Sequence, residues 1–112
     1  MTIYHNPRCR KSRETLALIR EAGIEPTIIE YLKTPPAPKE LNNLSQLLSL
    51  SPEQLVRKNE KVFKESFKGK ILTRQEWLET LSANPVLIER PIVVNNDKAV
   101  IGRPPENVKV LL

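Results

Sequence analysis

The hydrophobic and polar positions of the first 32 residues predict a strand, a helix and a second strand. Residues 2–4 are β-prone, and the Asn-Pro pair at 6–7 is a turn signal. Apolar residues recur at helical spacing over 9–22, and Gly23 is typical of the position just past a helix end. Residues 27–32 are β-branched and predict the second strand. Two strands that flank one helix form a βαβ unit with a parallel pair.

The middle of the chain has a helical pattern. A proline-rich connector at 34–38 leads to leucines at helical spacing over 39–50. Capping boxes at 51–54 and 73–76 each predict the start of a further helix. We therefore expect a helical insertion over about 37–84.

The last part of the chain predicts a β-hairpin followed by a short helix. Residues 92–94 are a β-branched run that predicts a strand, and residues 99–101 predict the returning strand after a polar turn. The helix that follows has a predicted apolar face of Val108, Leu111 and Leu112. A β-α-β half and a β-β-α half with helices between them is the pattern of a thioredoxin-like α/β domain. The prediction is one domain, 1–112, with a mixed four-stranded sheet.

Composition places the chain among soluble globular proteins. Of its 112 residues, 39% are hydrophobic and 28% are charged. Apolar runs are too short for a membrane span, and residues 1–20 show no secretory signal. One cysteine and one histidine exclude an internal disulfide and a multi-ligand Cys/His zinc site within one chain. We expect no metal, no bound cofactor, no membrane partner and a reducing, cytoplasmic setting.

The positive charge is concentrated near the single cysteine. The net charge is +5, and residues 1–20 alone carry +4. Nucleic-acid binding is disfavoured, because aromatic content is only 4% and no zinc-finger or RNA-binding motif is present. A local anion site is a better explanation of this charge.

The segment 5–13 places Cys9 between the first strand and the first helix. A helix start presents unpaired N–H groups, which stabilise a thiolate and also favour a bound oxyanion. The hydroxyl of Ser12 can donate to the sulfur, and His5 can bond to the loop or add positive charge. Four neighbouring cations are also expected to stabilise the thiolate: Arg8, Arg10, Lys11 and Arg13. The alternative is a small buried cysteine without chemistry.

Three further arginines are candidate anion ligands. Arg57 follows a short predicted helix, Arg90 precedes Pro91 and a strand, and Arg103 follows the hairpin. In a thioredoxin-like fold the loop before the third strand faces the cysteine loop, so Arg90 can approach Cys9. Guanidinium forks suit tetrahedral oxyanions, although any single arginine is more often a solvated surface charge.

The sequence resembles glutaredoxin-dependent arsenate reductases, particularly their short chromosomal type. The resemblance covers almost the whole chain and is carried by five stretches: 4–16, 25–32, 55–59, 89–94 and 102–106. It implies a thioredoxin-like fold, attack of Cys9 on arsenate and activation of the thiol by His5. It also implies oxyanion binding by Arg57, Arg90 and Arg103, with a cis peptide bond before Pro91.

The resemblance further implies that glutathione and glutaredoxin supply the electrons. A chain with one thiol agrees with this, because an external thiol must complete the reaction. Arg10 and Lys11 depart from the small residues that follow the cysteine in plasmid-type enzymes. Two alternatives stay open: an Spx-type regulator that interacts without catalysis, and a glutathione-linked thiol transferase. The absence of a second cysteine and the presence of three arginines favour the reductase.

Overall fold

The computed structural model describes residues 1–112. The chain divides into two compact units. The first contains residues 1–34 and 90–112, and the second contains residues 35–89. The predicted helical insertion, about 37–84, lies within the second unit.

The first unit contains a four-stranded sheet with strand order β2-β1-β3-β4. β1 and β2 are parallel, whereas β3 is antiparallel to both β1 and β4. This mixed sheet confirms the predicted thioredoxin-like class. The elements are β1 (Thr2–His5), α1 (Arg10–Glu21), β2 (Thr27–Glu30), β3 (Ile92–Asn95), β4 (Lys98–Ile101) and a 3₁₀ helix (Pro105–Leu111).

One face of α1 packs onto the core of this unit. Its buried residues recur at helical spacing, which is the pattern expected of an amphipathic helix: Ser12, Thr15, Leu16 and Ile19. Leu16 and Ile19 share a core cluster with Ile3, Val93, Val108 and Leu111. The N-terminal end of α1 and the end of β1 are thereby held on the same framework, with the cysteine loop between them.

The second unit is built from helices. They are α2 (Pro38–Leu48), a 3₁₀ helix (Pro52–Leu55), α3 (Lys61–Ser66), α4 (Arg74–Ala83) and a second 3₁₀ helix (Pro85–Leu87). Its buried apolar side chains are Leu41, Leu44, Leu55, Val56, Trp77, Leu78, Leu81, Leu87 and Ile88. Thr73 opens α4 with the predicted capping box.

Several predicted elements differ from the structure. The capping box at 51–54 opens only one 3₁₀ turn, because Val56 leaves the helix and forms an antiparallel bridge with Ile88. The short helix α3 was not predicted. β2 ends at Glu30, two residues early, since a turn follows it.

The final segment also differs from the prediction. It is a 3₁₀ helix rather than an α-helix. Val108 and Leu111 are buried as expected, but Leu112 is exposed. At three residues per turn, 108 and 111 align on one face, whereas 112 does not. None of the helices is both long enough and apolar enough to span a membrane.

Candidate active site

Cys9 lies at the N-terminus of α1. It is the N-cap residue, with extended backbone angles of φ −91° and ψ 120°. Its main-chain N–H donates to Asn6 O at 3.0 Å, and its carbonyl accepts from Arg13 N–H at 3.0 Å. The Arg8 N–H donates to the Asn6 side-chain oxygen, which fixes the turn before the cysteine. The loop therefore presents the thiol at the helix start, as the sequence predicts.

The surroundings of Cys9 lower the pKa of its thiol. Burial acts in the opposite direction and raises the pKa, but the groups around the sulfur outweigh it. The main-chain N–H of Ser12, the Arg90 guanidinium and the main-chain N–H of Lys11 all stabilise the thiolate. Lys11 and Ser12 belong to the first turn of α1, whose main-chain N–H groups have no partner within the helix.

His5 and Ser12 are bonded to each other, and neither side chain is bonded to the sulfur. His5 Nδ1 and Ser12 Oγ share a hydrogen bond of 2.6 Å, and Asn6 N–H donates to the same hydroxyl at 3.0 Å. The structure therefore corrects the expectation that the Ser12 hydroxyl donates to Cys9. Ser12 reaches the thiol through its main-chain N–H instead.

His5 is arranged to be neutral. Burial lowers the pKa of its imidazole, Arg20 and Arg13 act in the same direction, and Glu30 partly opposes them. A neutral imidazole supports hydrogen bonding to the loop rather than the added positive charge that the sequence left open. In this arrangement His5 holds Ser12, and Ser12 belongs to the first turn of the helix that faces the sulfur.

Arg90 presents an unused donor beside the thiol. Its Nε is buried and has no hydrogen-bond partner, and its guanidinium is one of the groups that lower the pKa of the Cys9 thiol. The Arg90–Pro91 peptide bond is cis, as expected from the sequence. Buried polar groups are usually paired, and a guanidinium that stabilises a thiolate is also suited to an oxyanion.

Arg103 reaches the same thiol from the loop after β4. Its Nη1 lies 3.8 Å from Cys9 Sγ and 3.5 Å from the Arg90 carbonyl oxygen. Arg103 is an exposed residue. The Arg103–Pro104 peptide bond is also cis, which the sequence did not predict. Thus two of the three predicted arginines and Cys9 come together within the first unit.

Arg57 belongs to the second unit. Its Nη1 pairs with Glu60 Oε1 at 2.6 Å and donates to Val86 O at 3.4 Å. The side chain is 20% exposed. Its part in binding an anion stays a prediction.

The exposed cations of the loop contribute less than the sequence suggested. Arg10 pairs with Glu14 at 2.8 Å, and Arg13 donates to Pro7 O at 3.0 Å. Lys11 acts on the thiol through its main-chain N–H rather than its ammonium group. The positions of main-chain donors cannot be read from the side-chain composition. The charge pattern therefore assigned the stabilisation of the thiolate to the wrong groups.

Comparison with known proteins places this site in a family. A thioredoxin-like fold with a thiol at the start of α1 and two guanidinium groups beside it defines a class of cysteine-based proteins suited to oxyanions. The ArsC family model matches residues 4–111, and the chain belongs to the ArsC family.

Individual relatives are similar in sequence to this chain over nearly its whole length. The chain is 47% identical to the uncharacterized protein YfgD of Escherichia coli K12, over 95% of this chain and 91% of that protein. It is 43% identical to an arsenate reductase of Haemophilus influenzae, over 98% of this chain and 97% of that protein. Among solved structures, an arsenate reductase from Vibrio cholerae superposes with a TM-score of 0.95 at 46% identity, covering 100% and 98% of the two chains.

Proposed function

We propose that this protein reduces arsenate to arsenite, with the thiolate of Cys9 as the nucleophile. The observation that carries the proposal is a thiol served by two guanidinium groups: Arg103 Nη1 lies 3.8 Å from the sulfur, and Arg90, whose Nε is unpaired, helps to lower the thiol pKa. Membership of the ArsC family and the names of close relatives support the choice of arsenate.

The first step in this proposal is attack of the thiolate on arsenic. An S–As bond forms, and one arsenate oxygen leaves as water after taking up protons. Attack of an anion on an anion is repulsive, so cations must hold the oxygens as charge redistributes. Arg90 and Arg103 are placed beside the sulfur for this purpose, and we include Arg57 as a third ligand because the family resemblance implies it.

Completion of the reaction requires thiols from outside the chain. Reduction of arsenate to arsenite takes up two electrons, which two thiols supply when they become one disulfide, and one molecule of water is released. Cys9 is the only cysteine, so a second thiol must attack the Cys9 adduct. We propose glutathione as that thiol and glutaredoxin as the protein that restores free Cys9, in a reducing cytoplasm.

The test is a reduction assay with arsenate, glutathione, glutaredoxin, glutathione reductase and NADPH. Arsenite is measured directly beside NADPH oxidation, so that background disulfide reduction is not counted. The wild type should form arsenite and the Cys9→Ser variant should not, since an alcohol is far less nucleophilic than a thiolate at neutral pH. Equal arsenite formation by the two proteins would refute the mechanism.

Two further arms separate the alternatives. Omission of glutaredoxin should stop turnover after one equivalent of arsenate, if glutaredoxin is the reductant of the adduct. A glutathionylated peptide offered in place of arsenate tests thiol transfer. Rapid deglutathionylation without arsenite formation would assign the protein to the transferases instead.

A further inference from the structure

The buried hydroxyl of Thr15 is bonded to the segment that carries Arg103. Thr15 lies on the buried face of α1 and is completely buried. Its hydroxyl donates to Lys11 O at 2.8 Å and lies 3.3 Å from Gly102 O. The shorter contact is the common bond of a helical threonine to the carbonyl four residues earlier, and the longer contact to Gly102 O shares the same hydroxyl proton. The hydroxyl thereby lies against a buried carbonyl of the loop after β4.

Gly102 connects three segments of the site. Its carbonyl oxygen lies 3.3 Å from the Thr15 hydroxyl of α1, the helix that Cys9 precedes, and its N–H donates to Pro91 O at 2.9 Å. Pro91 directly follows Arg90, and Gly102 directly precedes Arg103. Each of the two arginines is therefore one residue away from this pair of hydrogen bonds.

A side chain at position 102 would force these segments apart. A Cβ there would lie 2.5 Å from Thr15 Oγ1, 2.9 Å from Thr15 Cγ2 and 2.9 Å from Pro91 Cγ. Neither neighbour is the flexible end of a long side chain, since one is a β-branched residue on a helix and the other is a ring. The glycine is needed for close approach, because only a residue without Cβ lets the loop lie against α1 and Pro91.

We infer that Thr15 and Gly102 are positioning residues that set the distance between the Arg103 guanidinium and the Cys9 sulfur. The helix that holds the thiol and the loop that holds the arginine meet at this contact and are bonded across it. The inference rests on the proposed function only in naming arsenate as the anion. The geometry itself concerns a cation and a thiolate.

The test compares two alkylating agents that differ in charge. Iodoacetate and iodoacetamide both form a C–S bond with Cys9 and release iodide, but only iodoacetate carries a carboxylate. The rate constant for iodoacetate divided by that for iodoacetamide therefore reports cations close to the thiol. Measuring this ratio requires no arsenate. Removing a charge about 4 Å away in water-like surroundings changes such a ratio by about fivefold. Arg103→Gln should lower the ratio by this amount and so calibrates the assay.

Gly102→Ala should lower the ratio toward the value of Arg103→Gln, because the loop must move off the helix. Thr15→Val should act in the same direction, whereas Thr15→Ser keeps the hydroxyl and should retain the wild-type ratio. In the Gly102→Ala background, Thr15→Ala removes both close contacts with Thr15 and should restore part of the ratio. Ile19→Val is the control, since it weakens the core of α1 without touching Gly102 and should leave the ratio unchanged.

The outcomes separate this inference from the proposed function. Folded Gly102→Ala and Thr15→Val proteins with the wild-type ratio would overturn it, even if arsenate is reduced normally. If Gly102→Ala does not fold, the Thr15→Val and Thr15→Ser pair decides. A ratio unaffected by Arg103→Gln would also overturn it. Lowered ratios in a protein that never reduces arsenate would support the positioning role and refute the proposed function.

Discussion

Replacing Arg90 with lysine tests whether the site needs a guanidinium or only a positive charge. Arg90→Lys keeps the charge beside Cys9 but removes Nε, the buried donor that has no partner in the protein. Arginine presents its donors in a fixed planar fork, whereas lysine is a point charge on a flexible stem. If Nε serves an arsenate oxygen, the variant loses a directed hydrogen bond in the transition state.

The expected size of the effect follows from the kind of contact that is lost. Removing one donor from an oxyanion site costs about 100-fold in kcat, or ~2.7 kcal/mol. Thiolate stabilisation should change much less, because the charge stays near the sulfur, and a charge a few ångström away is worth about 1 kcal/mol in water-like surroundings. We therefore expect kcat for arsenate to fall about 100-fold, while alkylation of Cys9 by neutral iodoacetamide changes by about fivefold or less.

The assay is arsenite formation at saturating glutathione and glutaredoxin, beside iodoacetamide alkylation of the same preparations. Arg20→Lys is the matched control, since Arg20 pairs with the exposed Glu25 near the C-terminal end of α1. That control should keep wild-type activity. Arg90→Lys with arsenate turnover near the wild type would refute the reasoning and make Arg90 an ordinary cation. An equal loss of arsenate turnover and iodoacetamide reactivity would assign Arg90 to thiol activation alone.

Three other predictions follow from the same site. The pH profile of Cys9 alkylation should have its inflection below about 8.5, the pKa of a free cysteine, because the pKa of this thiol is lowered in the fold. An inflection at or above the free-thiol value would contradict the structure. Arg57→Lys should reduce arsenate turnover about tenfold or more if Arg57 is the third ligand, and unchanged kinetics would leave it as the ion-pair partner of Glu60. Burial lowers the pKa of His5 below 6.5. As the pH drops below 6.5, His5 therefore takes up a proton more readily in the unfolded chain than in the folded chain. The free energy of unfolding should fall over this pH range. Urea unfolding at about pH 7.5 and about pH 5.5 measures this fall, and the free energy of unfolding should fall less for His5→Gln than for the wild type. An equal fall in the two proteins would show that His5 does not cause the pH dependence.

The helix and strands that position the site could be predicted from the sequence, because hydrophobic periodicity indicates where such elements lie. Hydrophobic spacing identified α1 and the four strands, and the change from strand to helix at residues 5–10 located Cys9 at a helix start. The cis bond before Pro91 followed from family resemblance rather than from local pattern. The 3₁₀ turn at Pro52–Leu55 escaped prediction, because its length is set by the bridge between Val56 and Ile88, which are 32 positions apart in sequence.

The electrostatics of the site were predicted less well, and the reason is physical. A sequence shows formal charges but not where they point. Of the cations around the thiol, Arg10 turns toward Glu14 and Arg13 toward a carbonyl. The thiolate is stabilised by two main-chain N–H groups and by Arg90, which is far away in sequence. Ser12 was selected for its hydroxyl, but that hydroxyl is bonded to His5.

The unpaired Nε of Arg90 is a physical reason to expect an anion rather than a neutral partner at this site. A buried donor without an acceptor costs about 1–3 kcal/mol, and more when the donor is charged. A bound oxyanion supplies the missing acceptor and recovers that free energy, whereas a neutral ligand cannot match the charge. The same donor would remain unpaired beside a thioether adduct or an empty thiol. We therefore expect Arg90 to find its acceptor in a state in which an oxygen atom lies next to the Cys9 sulfur, and attack of that sulfur on an oxyanion would create such a state.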